Sequence, residues 1–212
     1  MESMTQEQYA DSLLGEDPEL ERVLKSIKES GMPEVSIAPG YGRLLTLLVK
    51  ISGAKRILEI GALGGYSGIC LARGLAPGGQ LVSLELKEEY AQLAKRNLTL
   101  AGFGDCADYR VGEALDSLDR LEAEDERFDL FLIDADKGNY PAYLEKAIRL
   151  ANPGALILGD NAFLRGKTLD PERSGPSVQS VRAFNERALS DERLEATLLP
   201  AYDGLVLARV RG

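Results

Sequence analysis

A doubly wound α/β protein is predicted by three observations. From Arg56 onward, short apolar runs alternate with longer amphipathic stretches. Glycine and proline punctuate the junctions, as at Pro77-Gly78-Gly79 and Pro153-Gly154. The last two apolar runs follow one another with no helix between them. Alternating strand and helix implies right-handed crossovers and a parallel sheet, and the closing pair of strands implies an antiparallel edge on it. The expected architecture is Rossmann-like: a mainly parallel, seven-stranded sheet with an antiparallel C-terminal edge and helices ahead of the first strand.

The elements follow in order. Two N-terminal helices are expected over 18–31 and 39–52, the second dense in apolar residues at helical spacing, with Leu44, Leu45, Leu47, Leu48, Val49 and Ile51. Strands are expected at 56–60, 80–84, 109–111, 130–133 and 155–158, each a short apolar run bounded by turn residues. Helices at 67–75, 88–101, 114–121 and 140–150 lie between them, with Gly102 closing the second. A polar loop over 165–176 leads to a helix at 178–189 and then to strands at 194–199 and 205–209. There is no internal repeat and no low-complexity tract.

At 212 residues the chain is long enough for one domain that buries about 70% of its unfolded surface. Acidic residues outnumber basic ones by 34 to 25, a net charge of −9 that argues against binding a phosphate backbone. The chain has no histidine. That removes Ser-His-Asp and Cys-His catalysis, imidazole zinc sites and a histidine base together. Cys70 and Cys106 lie far apart and form no Cys-x-x-Cys pair, so neither a structural zinc site nor a disulfide framework is expected, and a reducing cytoplasmic setting is the simpler reading. The N-terminus lacks a basic segment followed by an apolar one, and no apolar run is long enough to span a bilayer.

Chemistry concentrates at the expected strand ends. The first strand-to-helix turn reads Glu59-Ile60-Gly61-Ala62-Leu63-Gly64-Gly65-Tyr66-Ser67, whose small residues let backbone approach a ligand at the positive end of the next helix. A dinucleotide fingerprint needs glycine at positions 63 and 66, where Leu63 and Tyr66 stand, so a nicotinamide cofactor is disfavoured. Glu85 ends the second strand about 20 residues on, where a carboxylate accepts hydrogen bonds from both ribose hydroxyls. Asp134, Asp136 and Lys137 end the fourth strand; Asp160 and Asn161 end the fifth. If those strands are neighbours, Asp134, Asp160 and Asn161 converge as three hard oxygen donors suited to Mg²⁺, with Ca²⁺ and Mn²⁺ as further options. The plainer readings are a packed turn, a helix cap and a solvated rim. Tyr66, Tyr140, Phe163 and Tyr202 are candidates for an aromatic wall, and Arg165, Lys167 and Arg173 make a locally basic loop.

On these motifs the sequence resembles the cation-dependent, S-adenosylmethionine-dependent O-methyltransferases of the catechol and caffeoyl-coenzyme A type. The residues that carry the resemblance are Ala54-Lys55-Arg56-Ile57-Leu58-Glu59-Ile60-Gly61 with Gly65-Tyr66-Ser67, then Asp134-Ala135-Asp136-Lys137, Gly159-Asp160-Asn161 and Tyr202-Asp203-Gly204-Leu205. The resemblance implies that Glu59, Gly61, Ala62 and Ser67 hold the methionine end of the cofactor, Glu85 the ribose and Glu113-Ala114 the adenine, with a backbone contact from Ile37 to the cofactor. It implies Asp134, Asp160 and Asn161 as ligands of a divalent cation, Asp134 and Lys137 as the catalytic pair with Lys137 the base, and Asp136 and Arg165 on the acceptor side. It further implies N-terminal helices over 1–53 that cover the active site, a cofactor-binding core over 54–212 within a single domain, and a homodimer. The plant coenzyme A ester enzymes carry an N-terminal arm with a substrate-binding lysine that has no counterpart here, and Arg165 stands where they carry a substrate-contacting asparagine. A small vicinal diphenol is therefore the expected acceptor.

A phenol with a pKa of about 10 is a poor nucleophile at neutral pH, and chelation by a divalent cation favours its anion. The competing classes are a nicotinamide-dependent oxidoreductase, which lacks a Tyr-x-x-x-Lys pair here, a nucleic-acid methyltransferase, which would show an Asn-Pro-Pro-Tyr-like turn after the fourth strand, and a non-catalytic cofactor-binding module.

Overall fold

The computed structural model describes residues 4–212. Helices α1 (Gln6–Ser12), α2 (Pro18–Glu29) and α3 (Pro39–Ser52) precede the first strand. There follow β1 (Arg56–Ile60), α4 (Tyr66–Ala72), β2 (Gln80–Glu85), α5 (Glu88–Leu100), β3 (Ala107–Val111), α6 (Ala114–Ala123), β4 (Phe128–Ile133), α7 (Tyr140–Leu150) and β5 (Ala151–Gly159). Helix α8 (Pro176–Ser190) and strands β6 (Leu194–Leu199) and β7 (Leu205–Val210) complete the chain.

The seven strands form one sheet in the order β3-β2-β1-β4-β5-β7-β6, parallel throughout except that β7 runs against both its neighbours. The expected Rossmann-like architecture with an antiparallel C-terminal edge is the one observed. Both faces of the sheet are covered, so the central strands read as continuous apolar runs whose alternate residues serve opposite cores. Leu58, Ile60, Phe131 and Ile133 pack against Leu118, Tyr140, Leu144 and Phe184 of α6, α7 and α8. Ile57, Leu81, Leu130 and Leu132 pack against Val23, Ile27, Leu45 and Ile69 of α2, α3 and α4. Each such leucine or isoleucine, fully withdrawn from water, contributes about 1.5–3 kcal/mol. The strand order reverses between β1 and β4, and a crevice opens outside the carboxyl ends of the strands at such a switch point.

Four departures from expectation have a visible cause. Helix α1 was not expected; it buries none of its side chains and is held by a capping box in which the Gln8 amide donates to Thr5 Oγ1 at 3.2 Å and the Thr5 amide to Gln8 Oε1 at 2.9 Å. Helix α4 ends at Ala72 rather than 75, because a turn closes with Gly74 donating to Leu71. Strand β3 begins at Ala107, where pairing with Leu81 starts. Strand β5 begins at Ala151 and passes through Pro153-Gly154, which shift its register against β4 instead of ending it: Phe128 pairs with Ala151, but Leu130 pairs with Leu156.

Candidate active site

Hydrogen bonds run one step past four strands and line up their exits. Gly61 donates to Leu84 at 2.9 Å, Asp134 to Ile60 at 3.0 Å, Asp160 to Ile133 at 3.0 Å and Gly112 to Glu85 at 3.0 Å. The turn after β1 therefore lies directly beside the end of β4. Gly61 has φ +98, and a Cβ there would stand 2.1 Å from the Asp134 carbonyl oxygen, so only glycine allows the two exits to meet. Leu63 is also in the left-handed region, at φ 47, which marks the turn as constrained.

Two glutamates brace this turn. Glu85, 8% exposed, receives the amides of Ala62 at 3.2 Å and Leu63 at 2.9 Å on one carboxylate oxygen and that of Lys87 at 3.1 Å on the other. Glu59 is fully buried; its carboxylate accepts from Ser67 Oγ at 2.5 Å and Ser83 Oγ at 2.6 Å. Burial pushes the Glu59 carboxyl up to about 7, against the pull of those two hydroxyls.

The acid end is built from the exits of β4 and β5. Lys137 Nζ donates to Asp134 Oδ1 at 3.0 Å and is bonded to the Tyr140 hydroxyl, while that hydroxyl also lies 3.0 Å from the Asp160 carbonyl oxygen. Asp136 is not the partner of Lys137; it accepts from the Tyr143 hydroxyl and from Asn139 Nδ2 at 2.8 Å. Burial and then the charge of Asp134 push the Asp160 carboxyl up to about 7. Asn161 has φ 56, and Leu164 and Arg165 follow at φ 49 and 53 in a turn fixed by the Arg165 amide donating to Asp203 Oδ1 at 2.6 Å. Among the described residues no three histidine, cysteine, aspartate or glutamate side chains gather as a metal cluster.

One cavity of about 790 Å³ joins the turn to the acid end. It is lined by Ile37, Gly61, Ala62, Ser67, Glu85, Glu113 and Ala114 on the cofactor side of the sequence expectation, and by Asp134, Asp136, Lys137, Asp160, Asn161 and Arg165 on the other. Glu59 does not line it. The alternation of β1 turns its side chain toward α4, where it stands behind Ser67 and reaches the cavity only through that hydroxyl. Of the aromatic candidates, Tyr66 and Tyr202 line the cavity, whereas Tyr140 and Phe163 lie outside its wall. Tyr41 and Tyr143 line it instead. Tyr41 was hidden by its own spacing, because with Leu45 and Val49 it makes an ordinary helical core stripe.

A doubly wound sheet with a glycine-bearing turn, an acidic β2 terminus and a paired-carboxylate exit is the architecture on which α/β proteins hold nucleoside-type cofactors. A family model described as O-methyltransferase matches residues 8–211. The catechol O-methyltransferase of Niastella koreensis is 40% identical over 96% of this chain and 95% of its own length, and that of Mycobacterium tuberculosis is 38% identical over 94% and 92%. The O-methyltransferase from Bacillus cereus, solved in complex with SAH, superposes with a TM-score of 0.91 at 44% identity over 97% of this chain and 96% of that one. The O-methyltransferase TomG from Streptomyces achromogenes, solved with SAM, superposes at 0.88 with 38% identity over 96% and 95%. The chain belongs to the O-methyltransferase family and is an S-adenosylmethionine-dependent enzyme. Membership replaces the nicotinamide, nucleic-acid and non-catalytic alternatives. No helix among the described residues is long and apolar enough to cross a membrane.

Proposed function

We propose that this methyltransferase is metal-dependent and delivers the methyl group to one hydroxyl of a small vicinal diphenol. The observation that supports the reading is that Asp134, Asp160, Asn161 and Lys137 all line the cavity that also holds the Gly61 turn. Two carboxylates and an amide oxygen are hard donors of the kind Mg²⁺ takes, and Ca²⁺ or Mn²⁺ accepts the same set. A buried carboxyl whose neutral form is favoured, as that of Asp160 is, gains most from a cation beside it.

Gly61, Ala62 and Ser67 would hold the methionine end of the cofactor, Glu85 its ribose and Glu113 with Ala114 its adenine, with a backbone contact from Ile37 to the cofactor; Glu59 would act by fixing the Ser67 hydroxyl. A divalent cation there would favour the ionised form of a phenol and would add affinity for a second, adjacent oxygen. Asp134, Asp160 and Asn161 would hold it. Lys137 would take the acceptor's proton at Nζ. Asp134 and the Tyr140 hydroxyl hold that nitrogen in place at the cavity wall. Asp136 and Arg165 would stand beside the acceptor, and residues 1–53 would cover it. The same reading includes a homodimer and a cytoplasmic setting.

A radiolabelled methyl-transfer screen over catechols, flavonoids and hydroxycinnamates, with and without chelator, tests the proposal. Transfer to vicinal diphenols is expected to exceed that to matched monophenols by about 10³-fold or more in kcat/KM, since a site built around a substrate hydroxyl rejects analogues lacking it. Chelator and Asp160→Ala should each abolish it. Full turnover in either case overturns the metal assignment, and comparable rates for diphenols and monophenols overturn chelation as the basis of selectivity.

A further inference from the structure

One hydroxyl in the cavity wall has no partner. Tyr41, in the first turn of α3, is 4% exposed, lines the cavity, and its Oη makes no hydrogen bond among the described residues. Withdrawing a hydroxyl from water without a partner is unfavourable. The group is also held there. Its ring lies against that of Tyr202 with centroids 6.0 Å apart and planes at 42°. The Tyr202 hydroxyl donates to Asp11 Oδ1 at 3.0 Å, and the same oxygen receives the amide of Gly40, the residue before Tyr41, at 2.8 Å. Both the backbone beneath Tyr41 and the ring beside it are therefore fixed.

The position within the cavity is set by the ring on which Tyr41 packs. Tyr202 is followed by Asp203, whose carboxylate receives the Arg165 amide just past Asn161, so Tyr41 stands at the acid end. It lies near Asp160 but outside ordinary hydrogen-bond geometry. At that end Lys137 is already turned to Asp134 and Tyr140, which leaves Arg165 and Tyr41 among the donors that line the cavity. The oxygen of a vicinal diphenol that is not methylated keeps a lone pair beyond the one a cation would take, and accepts a hydrogen bond there from a donor in the wall. Tyr41 is a buried donor with no well-formed hydrogen bond.

We propose that Tyr41 is an acceptor-binding residue whose hydroxyl donates to the oxygen of the vicinal diphenol that does not receive the methyl group. The proposal rests on the diphenol reading above and adds a specific residue to it. It explains why a buried hydroxyl is kept where phenylalanine would fill the same space.

Tyr41→Phe keeps the ring and its packing on Tyr202 and removes only the oxygen. With S-adenosylmethionine and Mg²⁺, kcat/KM for catechol should fall about 10- to 100-fold, while that for phenol, which lacks the second oxygen, should change less than about 3-fold. Calorimetric binding of catechol in the presence of Mg²⁺ and S-adenosylhomocysteine should weakens in parallel with the loss in kcat/KM. The melting midpoint of the metal-free, cofactor-free variant should equal or exceed that of the wild type, because an unsatisfied buried hydroxyl has gone. Equal losses for catechol and phenol, an unchanged catechol rate, or a lowered melting midpoint would each overturn the role of Tyr41 while leaving the diphenol reading intact. A wild-type enzyme that methylates neither compound would overturn that reading, and the role of Tyr41 with it.

Discussion

Gly61 joins backbone conformation to site geometry at a single atom. Two separate effects oppose any side chain there: the positive φ, and the Asp134 carbonyl oxygen 2.1 Å from where a Cβ would stand. Gly53, the left-handed cap of α3, has φ +66 but nothing within 4 Å of a Cβ, so it isolates the first effect. Gly53→Ala should cost about 1–2 kcal/mol and Gly61→Ala about 2–5 kcal/mol, the difference being the displacement of β1 from β4. Denaturant unfolding of the two variants measures it, and equal losses would mean the exits of β1 and β4 separate freely. Such glycines are legible in a sequence because a turn motif calls for them. The position of Asp134, Asp160 and Asn161 at strand exits was legible for a related reason, since they stand just past apolar runs that read as buried strands. Glu59 was legible as a β1 residue but not as buried behind Ser67, because which face of β1 meets α4 depends on packing that no local pattern records.

Among the elements, α1 shows where periodicity fails. Seven residues with no buried side chain leave no apolar stripe to read, and a helix so short has little stability of its own. Its visible signal was the Thr5-x-x-Gln8 box, and its anchor is the Asp11 carboxylate, bonded to the Gly40 amide and the Tyr202 hydroxyl. Asp11→Ala should therefore release α1 while the sheet stays intact. Amides of residues 6–12 should lose protection from hydrogen exchange and those of β1, β4 and β5 keep it, with a global loss of about 1 kcal/mol. Uniform loss of protection across the sheet would show that α1 is part of the core. Strand β5 gives the opposite lesson: Pro153-Gly154 is a sound breaker signal, yet the strand continues because Ala151 still pairs with Phe128 and the intervening residues are taken up by a register shift. Local turn chemistry was read correctly there, and long-range pairing overrode it.

At the scale of the whole molecule, buried and surface carboxyls pull stability in opposite directions with pH. On the surface, Arg193 holds both Glu145 and Asp191 down to about 2, so their contribution is fully present above the ordinary carboxylate range and is lost only as pH falls toward 2. Glu59 does the reverse. Its carboxyl ionises near 4.5 in the unfolded chain and about 7 in the folded one, so between those values the folded state binds more protons than the unfolded, and stability falls as pH rises through that window. The buried Asp160 carboxyl, also raised to about 7, adds to the decline in metal-free protein. Stability of the free protein should accordingly peak at about pH 5 and decrease toward pH 8, with Glu59 alone responsible for about 3 kcal/mol of the fall. Glu59→Gln isolates that share. A neutral amide keeps one oxygen to accept and one N–H to donate between the Ser67 and Ser83 hydroxyls, as the protonated acid does, but has no charge to bury. Urea unfolding from pH 5 to pH 8 should show the variant and the wild type nearly equal at pH 5 and the variant more stable at pH 8, its profile flatter by Glu59's share and retaining the slope due to Asp160. Parallel profiles would mean that Glu59 is already ionised at pH 5 and that the two serines outweigh its burial.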